Sequence, residues 1–133
     1  MTAIHGGKIR ILIADDSESV RRAIRDLLND HSSGWVICGE SDNGEDAVRE
    51  VAKLLPDVIL LDVSLPMLNG VAVARIVRTD HPAVMVVMLS AQDSSVLSLV
   101  AHAAGTPHFV TKSLLAINLI PFLTSLVKDH RNP

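Results

Sequence analysis

Short aliphatic runs alternate along the chain with longer segments in which apolar residues recur every three or four positions. The short runs predict β-strands, and the three-to-four spacing predicts helices that bury one face. Five strands are predicted, at about residues 9–14, 35–39, 57–63, 83–90 and 108–111. Five helices are predicted after them, at about residues 18–28, 44–54, 71–79, 94–104 and 114–130. The pattern is therefore a strand followed by a helix, repeated five times.

The strands at 57–63 and 83–90 are apolar on both faces. Strands of this kind are covered by helices on both sides, which is typical of a parallel sheet in an α/β sandwich. The sequence therefore predicts one doubly wound (βα)5 domain. We expect this domain to span residues 9–130, after a flexible N-terminal tail over residues 1–8 and without an output domain within this chain. A chain of 133 residues agrees with a single domain.

The composition of the chain argues against several classes of function. Hydrophobic residues make up 48% of the chain and aromatic residues 2%, so the core must be aliphatic. A net charge of −3 provides no basic footprint, and we expect no direct nucleic-acid binding by this domain. The longest aliphatic run, residues 83–89, is too short to span a membrane, so a soluble, cytoplasmic protein is expected. Cys38 is the only cysteine, which excludes an intramolecular disulfide and favours inert packing.

Polar side chains follow four of the predicted strands. Asp15 and Asp16 follow the first strand, Asp62 lies at the end of the third, Ser90 ends the fourth and Lys112 follows the fifth. In an open parallel sheet the carboxyl ends of the strands meet at one edge, where binding sites form. Three carboxylates, one hydroxyl and one ammonium group are therefore expected to lie close together.

The chemistry of this group points to a metal ion and a phosphoryl group. Two carboxylates about 4 Å apart repel by about 4 kcal/mol at an effective dielectric constant near 20, so three of them favour a bound cation. Oxygen ligands of this kind suit Mg²⁺, which shares its coordination shell with phosphate. A carboxylate can also act as a nucleophile and form an aspartyl-phosphate. The lysine and the hydroxyl would then hold the phosphoryl oxygens.

Four separated motifs carry a resemblance to a known family. They are Asp15-Asp16, the segment LLDVSLPMLNG at 60–70, MLSA at 88–91 and FVTK at 109–112. In order and spacing they resemble the receiver domain of two-component response regulators. The resemblance implies a flavodoxin-like sandwich with strand order 2-1-3-4-5. It also implies a signalling domain that takes a phosphoryl group from a sensor histidine kinase or a phosphotransfer protein, and that assists only its own phosphorylation and dephosphorylation.

The resemblance assigns the chemical roles residue by residue. Asp62 resembles the phosphoryl acceptor of the family. Asp15 and Asp16 resemble the acidic pair that holds Mg²⁺ together with Asp62 and the backbone carbonyl group of Ser64. Lys112 resembles the lysine that pairs with the phosphoryl oxygens.

Two further residues match the family's switch. Ser90 resembles the hydroxyl that moves toward the phosphoryl group, and Phe109 resembles the aromatic residue that turns inward with it. The chain departs from the common pattern at Ser113, where many receivers have a proline, and at Phe109, where many have tyrosine. Neither departure affects the phosphorylation chemistry.

Two other readings remain open. A Mg²⁺-dependent phosphohydrolase that forms an aspartyl-phosphate would use a similar cluster, but such enzymes carry a second aspartate two positions after the nucleophile. This chain has Ser64 at that position, which disfavours turnover catalysis. A degenerate receiver that acts only as a protein-binding module is disfavoured because every residue of the site is present.

The last two predicted helices contain few polar residues. Residues 113–127 contain no charged residue, and residues 94–104 contain no aspartate, glutamate, lysine or arginine. One interpretation is an exposed apolar patch within residues 93–127 that binds a second copy or an effector, and that a Leu123→Glu substitution would disrupt. The alternative is that Pro121 breaks the last helix and folds the surplus leucines inward.

Overall fold

The computed structural model describes residues 7–30, 34–91, 94–106 and 108–131. Most of the predicted N-terminal tail, residues 1–6, lies outside the described residues. So does Asp93, the first residue of the predicted apolar patch. The predicted domain limits stay a prediction, although the first strand begins at Ile9 as expected.

Five parallel strands form one sheet in the order β2-β1-β3-β4-β5. They are β1 (Ile9–Ala14), β2 (Trp35–Ser41), β3 (Val58–Asp62), β4 (Met85–Ser90) and β5 (His108–Thr111). The predicted doubly wound (βα)5 sandwich and its strand order are confirmed. Strand β2 extends two residues beyond its predicted end because its pairing with β1 continues to the Ala14–Ser41 pair.

Five helices connect and follow the strands. They are α1 (Glu18–Asp30), α2 (Gly44–Leu54), α3 (Gly70–Asp80), α4 (Ser94–Ala104) and α5 (Leu115–Arg131), the last preceded by a 3₁₀ turn over Lys112–Leu114. Side-chain caps set three of the starts: Ser17 accepts from the Val20 amide, and Asn43 and Asn69 cap α2 and α3 in the same way. Gly105, with φ of +78°, ends α4 in the left-handed region.

The helices cover both faces of the sheet. Helices α2, α3 and α4 pack on one face and helices α1 and α5 on the other. Along β1, Leu12 and Ala14 belong to the first layer, whereas Ile11 and Ile13 belong to the second. Both layers are almost wholly aliphatic, as the composition predicted. None of the helices in the described part of the chain is long and apolar enough to cross a membrane.

Helix α5 continues through Pro121, so the alternative in which this residue breaks the helix is wrong. Pro121 lies on the exposed face, where the carbonyl group that loses its helical partner can bind water instead. Leu123 is fully buried, so Leu123→Glu would place a charge in the core and test folding rather than binding. Some apolar residues of the last two helices are nevertheless exposed: Leu99 is 74% exposed and Ile117 is 67% exposed.

Candidate functional site

The carboxyl edge of the sheet brings the predicted acidic residues together. Asp15 follows β1 directly, Asp62 is the last residue of β3, and Asp16 begins the loop into α1. Oxygen atoms of these three carboxylates all lie within 4.8 Å of one another. The acidic cluster predicted from the strand ends is therefore present as a compact group.

The two buried carboxylates are held by the turns that follow them. Asp15 is fully buried, and its Oδ1 atom accepts a hydrogen bond of 2.9 Å from the Ser17 amide. Asp62 is 2% exposed, and its Oδ1 atom accepts a hydrogen bond of 3.1 Å from the Ser64 amide. Asp16 is exposed to solvent. The cluster thus joins two fixed carboxylates to one that solvent can reach.

Lys112 reaches both buried carboxylates from the turn after β5. Its Nζ atom lies 2.8 Å from Asp15 Oδ2 and 3.3 Å from Asp62 Oδ1. Burial alone would lower the pKa of Lys112, but the contact with Asp15 and the charge of Asp62 raise it above its ordinary value. The ammonium group therefore stays charged and offsets part of the acidic charge.

One ammonium group does not neutralise the cluster. Burial raises the pKa of Asp62 above its ordinary value, and the negative charge of Asp15 raises it further. The Ser64 amide and Lys112 act in the opposite direction but do not cancel these effects. The site therefore stores an unfavourable negative charge that a bound cation would relieve.

The donor set fits Mg²⁺. All three side chains offer carboxylate oxygens, which hard cations prefer, and their separation allows one ion to contact more than one of them. The exposed position of Asp16 leaves room for the water molecules and phosphate oxygens that Mg²⁺ keeps in its shell. Asp15, Asp16 and Asp62 could therefore hold the ion.

The predicted switch residues lie on the neighbouring strands β4 and β5. Ser90 is buried at the end of β4, where it pairs with Thr111 across the sheet. Phe109 is half-buried on β5 and lines a surface groove against α4. The other residues that line this groove are Ser98, Ala101, His102, Gly105 and Thr106. The groove lies beside α4, which contains no aspartate, glutamate, lysine or arginine.

Two features of the site were missed by the sequence reasoning. A Cβ atom on Gly70 would lie 2.1 Å from the Asp62 carbonyl oxygen, so the loop after β3 closes only with glycine there. The Nη1 atom of Arg21 donates a hydrogen bond of 2.7 Å to the Asp15 carbonyl oxygen. This contact depends on how α1 packs beside β1 and β2, so the sequence alone gave no signal for it.

The chain matches the family model for the response regulator receiver domain over residues 11–123. It is 28% identical over 120 residues to the chemotaxis protein CheY of Thermotoga maritima, a match that covers 90% of this chain and 98% of that protein. It is 36% identical over 118 residues to a protein-glutamate methylesterase/protein-glutamine glutaminase of Pyrococcus abyssi, covering 86% of this chain. The chain spans about a third (32%) of the length of that relative, so the similarity does not carry the methylesterase activity.

Solved structures agree with the family match. The response regulator domain of Thermotoga maritima CheB superimposes with a TM-score of 0.76 at 27% identity, covering 95% of this chain and 98% of that one. The signal receiver domain of NarL from Mycobacterium tuberculosis gives a TM-score of 0.81 at 28% identity, covering 91% and 97%. The phosphohydrolase reading is not favoured by these matches. The chain belongs to the response regulator receiver domains of two-component signalling, which accept a phosphoryl group on an aspartate.

Proposed function

We propose that Asp62 is the phosphoryl acceptor of this receiver domain. The observation that carries the proposal is the position of Asp62, buried at the end of β3 with Asp15, Asp16 and Lys112 around its carboxylate. A carboxylate oxygen of Asp62 forms a bond to phosphorus while the bond between phosphorus and the donor breaks. The electron pair of the broken bond leaves with the donor, which is a sensor histidine kinase or a phosphotransfer protein.

The residues around Asp62 have two different electrostatic roles, which are metal binding and contact with the phosphoryl group. Asp15 and Asp16, with Asp62 and the backbone carbonyl group of Ser64, would hold Mg²⁺. When bound, this ion neutralises the carboxylates and the phosphoryl oxygens, so that two anions can approach each other. Lys112, already in contact with Asp15 and Asp62, pairs with a phosphoryl oxygen. Ser64 occupies the position of a phosphohydrolase's second aspartate, which disfavours any catalysis beyond the chain's own phosphorylation and dephosphorylation.

Intact-mass spectrometry tests this assignment. The protein is incubated with acetyl phosphate and saturating Mg²⁺, and the wild type is expected to gain the mass of one phosphoryl group. Asp62→Asn is expected to gain none, because an amide oxygen is a much weaker nucleophile than a carboxylate. Asp57→Asn is the matched control, since Asp57 is also buried but precedes β3 and bonds to the Arg10 amide at 2.8 Å.

The outcomes separate clearly. An unmodified wild type at saturating Mg²⁺ would contradict the receiver chemistry at this site. Modification of Asp62→Asn to the wild-type extent would place the acceptor elsewhere. Removal of Mg²⁺ with a chelator is expected to reduce the modification strongly, because the repulsion between anions is then unrelieved.

We also propose that phosphorylation acts on the face formed by residues 93–127, through Ser90 and Phe109. Ser90 lies at the end of β4 beside the phosphoryl site, and Phe109 lies on the adjacent strand and lines the groove against α4. Movement of the Ser90 hydroxyl toward the phosphoryl group vacates space that the Phe109 ring can fill. Leu99 on α4 and Ile117 on α5 are both exposed, and they offer apolar area for a second copy or an effector.

Analytical ultracentrifugation with and without beryllofluoride tests the self-association branch. The activated wild type is expected to associate more strongly than the unmodified protein, and Ile117→Glu is expected to abolish the difference. Ala52→Glu is the control, because Ala52 is exposed on α2, away from this face. Two results together would contradict a role for this face. The wild type would stay monomeric with and without beryllofluoride, and the Ile117→Glu variant would bind every partner that the wild type binds.

A further inference from the structure

Arg21 lies at the centre of an ion network beside the acidic cluster. Its Nη1 atom donates to the Asp15 carbonyl oxygen at 2.7 Å, and its Nε atom donates to Glu40 Oε1 at 3.0 Å. Its side chain is only 14% exposed. Glu40 is fixed in turn by Arg25, whose Nη1 atom lies 2.6 Å and 2.8 Å from the two carboxylate oxygens. The guanidinium fork of Arg21 therefore links the end of β1 to β2.

The carbonyl group that Arg21 holds belongs to the peptide bond between Asp15 and Asp16. The amide of Asp15 is fixed separately, by a hydrogen bond of 3.0 Å to the Ser41 carbonyl oxygen on β2. Both polar groups that flank the Asp15 side chain along the backbone are therefore tied to neighbouring elements. The direction of this peptide sets where the exposed Asp16 side chain leaves the chain. Arg21 contacts the backbone of Asp15, whereas the carboxylates of Asp15 and Asp62 form their ion pairs with Lys112.

We propose that Arg21 is a positioning residue that orients the Asp15–Asp16 peptide for Mg²⁺ binding. The inference rests on the proposed function, because it assigns the ion to these two aspartates. Mg²⁺ requires nearly ideal octahedral geometry, so a loss of ligand orientation lowers its affinity even when every ligand remains. Loss of a residue that orients metal ligands typically weakens metal binding by about 10-fold to 100-fold.

The direction of the change in Mg²⁺ affinity distinguishes a positioning role of Arg21 from an effect of its charge alone. Arg21 carries a positive charge near the cation site, so removal of this charge alone would strengthen Mg²⁺ binding. Loss of orientation has the opposite effect. A lower affinity after Arg21→Ala therefore cannot come from the charge of Arg21, whereas a higher affinity would indicate charge alone.

Isothermal titration calorimetry with MgCl₂ tests the proposal, well below the unfolding temperature of each variant. Arg21→Ala is expected to bind Mg²⁺ about 10-fold more weakly than the wild type. Arg22→Ala is the matched control: it removes the same charge one residue away, but Arg22 is 66% exposed and its ion pair is a 3.9 Å contact with Glu18. Arg22→Ala is expected to bind Mg²⁺ as tightly as the wild type or slightly more tightly.

Arg21→Lys covers the case in which Arg21→Ala does not fold. Lysine keeps the charge and most of the apolar stem but cannot bridge Asp15 and Glu40 with a planar fork, so its Mg²⁺ affinity is expected to fall severalfold. Wild-type affinity in Arg21→Lys, or in Arg21→Ala, overturns the positioning role. A wild type that binds no Mg²⁺ overturns the metal site of the proposed function instead. A phosphorylation rate of Arg21→Ala that returns to the wild-type value at saturating Mg²⁺ supports a defect confined to metal binding.

Discussion

At the scale of single residues, the site combines two buried carboxylates with one half-buried ammonium group. Lys112 contacts both Asp15 and Asp62, yet the pKa of Asp62 remains above its ordinary value because burial and the charge of Asp15 outweigh the ammonium group. Most of the other carboxylates in the described part of the chain can reach solvent. The acidic cluster is therefore a local instability, which the proposed metal binding would relieve.

Neutralisation of Asp62 is expected to stabilise the metal-free protein. Asp62→Asn removes one buried negative charge while Lys112 keeps its 2.8 Å contact with Asp15. In the presence of a chelator at neutral pH, we expect the unfolding temperature to rise by a few degrees, equivalent to about 1 kcal/mol for a domain of this size. Differential scanning calorimetry of the two proteins measures the change.

The pH dependence of this difference provides its control. Because the pKa of Asp62 is raised in the folded state, the wild type gains stability relative to Asp62→Asn as the pH falls through that raised value toward the ordinary value. The difference between the two proteins should therefore be largest at neutral pH and small near pH 4. Equal stabilities at neutral pH would contradict the electrostatic interpretation.

At the scale of secondary-structure elements, the start of α3 is packed directly on the end of β3. A Cβ atom on Gly70 would lie 2.1 Å from the Asp62 carbonyl oxygen and 2.8 Å from the Val63 Cα atom. Both are backbone atoms, which cannot move without displacing the end of β3. The loop between β3 and α3 thus depends on one residue without a side chain.

Gly70→Ala is therefore expected to destabilise the protein by about 3 kcal/mol, the upper part of the range for overpacking. Gly39→Ala is the matched control, because its nearest contacts are the Leu54 and Leu12 Cδ1 atoms at 2.9 and 3.3 Å, the ends of flexible side chains. Urea unfolding measures both free energies of unfolding. Equal costs for the two substitutions would contradict the backbone contact.

The order and type of the elements could be predicted from the sequence, because apolar periodicity and strand ends are local properties. The bounds of β2 could not, since its last two residues pair with Ile13 and Ala14 only once the sheet has formed. The sequence also could not predict which apolar residues of α5 are buried and which are exposed. Which of them faces the sheet depends on how the helix docks, and Leu123 is buried while Ile117 is exposed.

At the scale of the whole molecule, the site is assembled from distant parts of the chain. Asp15, Asp62 and Lys112 lie at or directly after the ends of three strands, and their proximity was predictable because parallel strands end at one edge of the sheet. The supporting contacts were not predictable in the same way. Arg21 bonds to the Asp15 carbonyl oxygen and to Glu40 of β2, a combination that requires the packing of α1 against the edge of the sheet.

Because the acidic cluster exists only when these strands are assembled, Mg²⁺ should bind the folded state alone and stabilise the whole domain. Ligand binding of this kind adds about 2.7 kcal/mol at a concentration 100 times the dissociation constant. We expect the unfolding temperature of the wild type to rise steadily across millimolar MgCl₂, measured by calorimetry against NaCl of equal ionic strength.

Asp16→Asn should flatten this dependence, because it removes one ligand of the acidic cluster. Since Asp16 is exposed, its metal-free stability should stay within about 0.5 kcal/mol of the wild type. Equal shifts in MgCl₂ and NaCl, or an Asp16→Asn variant that responds as the wild type does, would show that the cluster does not bind the ion.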